Sequence, residues 1–265
     1  MTATDSLLSL RRVSKGFGKI KVLHDIDLDI GPNEIVALVG DNGAGKSTLI
    51  KVITGVHSPS SGEVWFKGAR RQEHSVKRSR EIGIETVYQE RALADQQALW
   101  RNMFAGRELT NRFGFIDVAQ QKAETERLLR RHMGFTSKAI TVDSEVRGLS
   151  GGEKQGVAIG RALYFDADLI ILDEPTMGLS LKETSKVLDF VKDIRRQGKS
   201  AIFIDHNIFH VYDVSDRFVI LDRGRIAGDF RKQDLSQDEL VHKMLLLATT
   251  GSLEGEGSSA EGPGA

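Results

Sequence analysis

The chain has 265 residues, 40% of them hydrophobic, which is enough for one large domain or two small ones with a sizeable core. Lysine plus arginine number 37 and aspartate plus glutamate 37, a formal net charge of zero. That balance argues against a general nucleic-acid binder, which shows a basic excess, so no nucleic acid is expected as a partner. There is no cysteine, which excludes disulfides and thiolate metal sites.

No apolar run approaches the ~18–20 residues that span a bilayer. Met1 to Ser9 lack the basic start and apolar stretch of a secretory signal. The expectation is a soluble cytoplasmic protein that would serve any membrane process from the water side, through partners.

Taken in chain order, Leu7–Val13 and Val22–Ile30 read as strands, the second alternating through Ile26, Leu28 and Ile30. Gly31-Pro32-Asn33 forms a turn, and Ile35–Val39 is a continuous apolar run, as expected of a strand buried on both faces. A glycine-rich loop follows, then a helical pattern over Lys46–Thr54 and strands over Gly62–Phe66 and Ile84–Tyr88. The middle, about Ala92–Ala162, is helical in pattern, with Val118–Met133 rich in good helix formers. An α/β pattern then returns: a buried strand at Leu169–Leu172, an amphipathic helix over Leu181–Arg196, strands at Ser200–Ile204 and Arg217–Leu221, and a last helix over Leu235–Leu247. From Thr249 on, Gly, Ser and Glu dominate, a composition that buries too little apolar surface to fold. No internal repeat is present, so the chain reads as a single nucleotide-binding unit over 1–248, with a helical subdomain at about 92–162 and a disordered tail over 249–265.

The strongest motif is Gly40-Asp41-Asn42-Gly43-Ala44-Gly45-Lys46-Ser47, followed by Thr48. It matches G-x-x-x-x-G-K-[ST] and lies between an expected strand and an expected helix, the context a phosphate-binding loop requires. Glycines let backbone N–H groups turn onto phosphate oxygens, and a helix N-terminus adds a favourable dipole. Lys46 is expected to reach the β- and γ-phosphates of ATP, and Ser47 to hold Mg²⁺. A second motif is the apolar run Leu169-Ile170-Ile171-Leu172 ending in Asp173-Glu174. Asp173 would sit beside Mg²⁺, directly or through water, and Glu174 would orient and polarise the attacking water as general base. Acidic residues often end strands; the phosphate loop gives this pair its meaning. A third is Leu149-Ser150-Gly151-Gly152-Glu153, whose serine cap and glycines open a helix over Glu153–Leu163. On local physics it is either a plain N-cap or a second anion site.

With these motifs in order, the chain resembles the ABC ATPases up to about Leu247. The resemblance implies that Ser150, Gly151 and Gly152, with Glu153 beside them, form the family's signature loop, which binds the γ-phosphate of ATP held by the other protomer. Gln89, in Val87-Tyr88-Gln89, matches the loop that senses Mg²⁺ and contacts the membrane subunit, and His206 matches the switch histidine at the γ-phosphate. Phe17 matches the aromatic that stacks on adenine; read by itself it fits a core position equally well. His206 and His210 are four apart, the spacing of a metal pair on one helix, but with no thiol and no third ligand evident, no zinc site is expected.

Within the family the chain is most similar to the bacterial sugar-import ATPases that serve ribose, xylose and fructose. The carriers are Gly40 to Lys51, then Thr54-Gly55-Val56-His57, Tyr88-Gln89-Glu90 and Leu93-Ala94-Asp95. The resemblance implies an α/β fold with a P-loop NTPase core, an N-terminal antiparallel β patch and an inserted helical subdomain. It also implies a homodimer on the cytoplasmic face of the inner membrane, working with integral membrane permease subunits and, indirectly, a periplasmic solute-binding protein. Three departures stand out: Glu153 replaces the signature's usual Gln, Asp205 the commoner Ser before the switch histidine, and the loop after Glu174 reads Met177-Gly178-Leu179-Ser180. Import of another solute, such as branched-chain amino acids, remains open from sequence. So does a non-transport ABC ATPase, although those usually carry two ATPase units or a long coiled coil.

Overall fold

The computed structural model describes residues 6–87, 93–131 and 140–253. Two sheets stack around the first core. The N-terminal one is antiparallel, in the order β2 (Ile20–Ile30), β1 (Leu8–Phe17), β4 (Ser61–Phe66), β5 (Ala69–Arg70). β1 and β2 outrun their sequence signals because the pairing register shifts after Leu10, Val13 and Lys15, which breaks the period-2 alternation.

The second sheet has six strands, in the order β10 (Arg225–Arg231), β9 (Arg217–Asp222), β3 (Ile35–Val39), β8 (Ser200–Ile204), β7 (Leu169–Asp173), β6 (Ile84–Val87). All its pairings are parallel except β9–β10. Side-chain alternation along the strands sorts the core onto two faces. Val36, Leu38, Ile202 and Ile204 meet Leu8, Leu10 and Leu28 of the antiparallel sheet and Leu49 and Ile53 of α1 (Lys46–Ile53). Ala37, Val39, Ile170, Leu172 and Phe203 face Val187, Val191 and Ile194 of α6 (Leu181–Arg196) and Val211 of α7 (Ile208–Val214). A third cluster holds α3 (Leu99–Phe104), α4 (Val118–Arg131) and α5 (Gly151–Tyr164) together through Met103, Phe104, Leu128 and Val157.

Several boundaries differ from the sequence reading. The short polar helix α2 (Val76–Glu81), opened by the Ser75 cap, was not expected. Neither was β10, whose inward row Ile226, Gly228, Phe230 is interrupted by a glycine. The last helix, α8 (Gln237–Thr250), starts two residues late because Ser236 and Glu239 form a capping box, and it runs two residues into the stretch read as a tail. Tyr88 and residues 132–133, expected to end a strand and a helix, lie outside the described residues, as do 254–265.

The two sheets are tied by polar contacts as well as by the core. The Arg217 guanidinium donates to Glu34 Oε1 at 2.8 Å, to Asp229 Oδ2 at 2.8 Å and to the Asp29 carbonyl at the end of β2. Arg217→Met removes the donors and leaves both carboxylates and the carbonyl in a half-buried site. It is expected to lower unfolding stability by about 1–3 kcal/mol, read as a fall in the urea midpoint at unchanged slope.

Candidate functional site

Strands β3, β7 and β8 are adjacent and parallel, so their carboxyl ends open on one crevice, where ligands of open α/β sheets bind. Three loops leave that edge, over residues 40–45, 174–180 and 205–207. The first is set by close packing: a Cβ on Gly40 would lie 2.2 Å from the Leu221 carbonyl oxygen. Gly45 caps α1 in the left-handed region, at φ 108°, and supplies no side-chain cap. α1 also has no acidic residue in its first turn, so its leading N–H groups remain available to an anion. Within the loop, Asn42 N–H donates to Asp41 Oδ1 at 3.0 Å and Ala44 N–H to the Asp41 carbonyl at 3.1 Å, which holds the curve from inside.

Lys46 Nζ donates to the carbonyls of Gly40, 2.7 Å, and Asp41, 3.0 Å. Burial lowers its pKa, while the charges of Glu174, Asp41 and Asp173 favour the ammonium. Ser47 is exposed on the first turn of α1, with Thr48 beside it. Across the crevice, burial and then the Glu174 charge hold the Asp173 carboxyl above the usual carboxylate range. A cation relieves that strain, so the set Lys46, Ser47 and Asp173 fits a Mg-nucleotide.

Glu174 takes a left-handed backbone, φ 50°, and its N–H donates to the Ile204 carbonyl at 2.8 Å. Its Oε1 lies 2.8 Å from Nε2 of His206, whose side chain is 56% exposed. A carboxylate and an imidazole thus meet where a nucleotide on the phosphate loop would end. His206 precedes α7, whose cap is Asn207, so His206 and His210 do not share a helix and the metal-pair spacing does not apply to them.

Ser150 caps α5 with a complete capping box: Ser150 N–H donates to Glu153 Oε2 at 2.8 Å, and Glu153 N–H to Ser150 Oγ at 3.3 Å. The box explains how a glutamate serves at 153. Gly152 N–H donates to Glu183 Oε1 at 3.2 Å, and a Cβ on Gly152 would sit 3.0 Å from Glu183 Cβ. The N–H groups of Ser150, Gly152 and Glu153 donate to Glu153, Glu183 and Ser150 respectively. Phe17 is 44% exposed and not a core residue; His57 meets it edge-on, ring centroids 5.1 Å apart, and Lys15 Nζ lies 5.1 Å from its centroid. Gln89 lies outside the described residues.

Residues 23–177 match the family model described as ABC transporter. The chain belongs to the ABC transporter family. As an ABC ATPase it is 39% identical to the xylose/arabinose import ATP-binding protein of Sulfolobus acidocaldarius, over 91% of this chain and 95% of that one. It is 37% identical to the fructose import ATP-binding protein of Rhizobium meliloti, over 90% and 94%. A ribose import ATP-binding protein of Caldanaerobacter subterraneus subsp. tengcongensis is 33% identical over 91% of this chain, which spans 48% of that relative. Among solved structures, an ATP-binding subunit of an ABC transporter superposes with a TM-score of 0.72 at 26% identity, covering 91% of this chain and all of the other, 100%. A dimeric ATP-binding cassette in a post-hydrolysis state with ADP and Pi gives a TM-score of 0.71 at 23% identity, over 85% and 98%, and shows the fold.

Two residues beside the candidate site were not singled out by the sequence. Thr176 lies in the Glu174 loop and bonds to Asp205, and Glu183 serves two helix ends at once. The only sequence signal for Glu183 is Ser180-x-x-Glu183, a capping-box spacing. Hydrogen bonds from Ser180 Oγ, Ser180 N–H and Gly152 N–H pull its carboxyl down to about 2. A carboxylate depressed in the folded state contributes stability above its unfolded pKa and loses it as pH falls through the folded one. Glu183→Gln should therefore lower the thermal midpoint at neutral pH. The gap to wild type should narrow as pH falls from 4.5 toward about 2, followed by scanning calorimetry across that range.

Proposed function

We propose that this ABC ATPase hydrolyses Mg-ATP at sites shared between two copies of the chain and thereby powers a membrane importer of a monosaccharide. The observation that carries the hydrolytic part is the Glu174–His206 pair, 2.8 Å apart, at the edge where the phosphate loop and Asp173 also converge. In this reading Phe17 stacks on adenine, the N–H groups of Gly40 to Thr48 hold the phosphates, and the Lys46 ammonium turns from its carbonyl partners to the β/γ oxygens. Ser47, Asp173 and Gln89 would hold Mg²⁺, which would offset the charge of the phosphates. Glu174 accepts a proton from the attacking water as its oxygen bonds to the γ-phosphorus. The bond from that phosphorus to the bridging oxygen breaks, and ADP leaves. His206 orients Glu174 and faces the transferred group.

The second half-site is Ser150 to Gly152, with Glu153, from the partner copy. Ser150 is exposed at the capped start of α5, which supports that placement. Import is supported by the relatives, whose names are sugar-import ATP-binding proteins over nearly the full length of this chain. The membrane partner in this reading is a pair of integral permease subunits at the inner membrane's cytoplasmic face, fed by a periplasmic solute-binding protein. Among the described residues no helix is long and apolar enough to cross a membrane, which leaves the crossing to that partner.

Glu174→Gln keeps shape and removes the base. Turnover should fall by at least about a hundredfold with ATP affinity retained, and an ATP-bound dimer should accumulate in size-exclusion chromatography. Turnover near wild type would overturn the assignment of Glu174. Lys46→Ala should instead weaken ATP binding itself, since a cation facing the β/γ oxygens is lost.

Ser150→Arg should leave ATP binding to the single chain intact while blocking ATP-dependent dimerisation and hydrolysis. Mixing it with Lys46→Ala lets both defects fall in one composite site, so ATPase activity should partly return, measured against wild type in the same assay. Normal hydrolysis by Ser150→Arg alone would remove the signature loop from the partner's site.

A further inference from the structure

We infer that Asp205 is a positioning residue which, with Thr176 and His210, clamps the loop carrying His206 to the loop carrying Glu174. The inference rests on the reading of Glu174 and His206 as the hydrolytic pair. Thr176 lies two residues after Glu174, and Asp205 one before His206. The Thr176 hydroxyl donates to Asp205 Oδ2, and Asn207 N–H donates to Asp205 Oδ1 at 2.8 Å. The Asp205 side chain is only 7% exposed and Thr176 is 7% exposed, so the clamp is buried, whereas the imidazole of His206 is exposed.

Donor and acceptor bookkeeping fixes the direction of every bond. Asn207 Oδ1 accepts the Phe209 N–H at 2.9 Å, as the cap of α7, so the amide nitrogen of Asn207 faces His210 Nε2, 3.2 Å away, and donates to it. Nε2 is therefore the bare nitrogen and Nδ1 carries the proton. Nδ1–H points at Thr176 Oγ1, 3.3 Å away, whose single hydrogen is already committed to Asp205. The result is one chain of hydrogen bonds, from Asn207 through His210 and Thr176 to the Asp205 carboxylate, in which each group has one consistent role. Such a chain polarises its members in one sense and resists the loss of any one of them. Together with the Glu174 N–H to Ile204 carbonyl bond, it gives the two loops a second tether. Two tethers suppress the hinge motion of one loop past the other that a single one would allow.

A clamp of this kind acts on turnover rather than on nucleotide affinity, because it touches neither phosphate nor base. In full-length chain, Thr176→Val, which keeps the volume and removes the hydroxyl, should lower kcat by between about tenfold and a hundredfold, with KM for ATP within about twofold. Thr176→Ser, which restores the hydroxyl, should recover most of the rate. Asp205→Ala should resemble Thr176→Val, and the double variant should be no slower than either single one, since both break the same link. In wild type, ¹⁵N shifts of His210 should report the Nδ1-protonated tautomer, and that signature should be lost in Thr176→Val. An unchanged kcat in Thr176→Val, a serine variant as slow as the valine one, or single losses that multiply would each overturn the clamp. Glu174→Gln run alongside separates the two readings: retained turnover there removes the hydrolytic assignment. The clamp is then judged on the His210 tautomer, and an Nε2-protonated ring overturns it.

Discussion

The site depends on one hydrogen bond, from Glu174 N–H to the Ile204 carbonyl. It is the last rung of the β7–β8 ladder, placed one residue beyond the Asp173–Ile204 pair. To make it, Glu174 abandons the extended backbone of the strand for the left-handed region, an arrangement that costs a non-glycine residue energy and persists only where the surroundings enforce it. The return is orientation. Asp173 stays on the strand and faces Lys46, while Glu174 is rotated onto His206. Two neighbouring carboxylates thereby acquire different partners, and with them different chemistry, from a single change in backbone angle.

Around that rung the charges are arranged as opposites held apart. Lys46 and Asp173 are both half-buried, and burial pushes each toward its neutral form. Nearby carboxylates only partly offset this for Lys46, and the Glu174 charge adds to it for Asp173, so both gain from a polyanion and a divalent cation arriving together. The helix end at α5, the partner's contribution in the proposed site, is handled differently. Its Gly152 N–H is already held by Glu183, a residue of the same chain, so an incoming phosphate there competes with a carboxylate, whereas α1 presents an open end. The two helix ends are thus unequal receptors, one ready and one guarded.

Much of this was legible in the sequence because the chemistry is local. The phosphate loop, the apolar run ending in Asp173-Glu174 and the Ser150 cap each lie within about eight consecutive residues, where glycine spacing, apolar runs and capping patterns carry the signal. What escaped was non-local or masked by polarity. The end of the first strand, beyond Val13, hid behind its register shifts, β10 behind the glycine in its inward row, and α2 behind a sequence of six mostly charged residues. The four-residue spacing of His206 and His210 does not place them on one helix, because α7 begins at Ile208 after its Asn207 cap. Thr176 and Asp205 are 29 residues apart, and only the parallel pairing of β7 and β8 brings them together.

The hairpin joining β9 to β10 lies far along the sequence from the phosphate loop, yet it is built into the loop's foundation. Gly224 N–H donates to the Ala44 carbonyl at 2.8 Å, and the Gly224 carbonyl accepts from His24 N–H at 2.8 Å. Its backbone is pressed so close to β2 that a Cβ there would lie 2.0 Å from the Val22 carbonyl oxygen. One residue thus acts as a spacer of fixed thickness between the phosphate loop and the strand whose hairpin partner ends in Phe17. The separation between the exposed aromatic and the phosphate loop is gauged by this contact rather than by either flexible end. Both ends therefore keep their mutual distance for as long as the two sheets stay folded together.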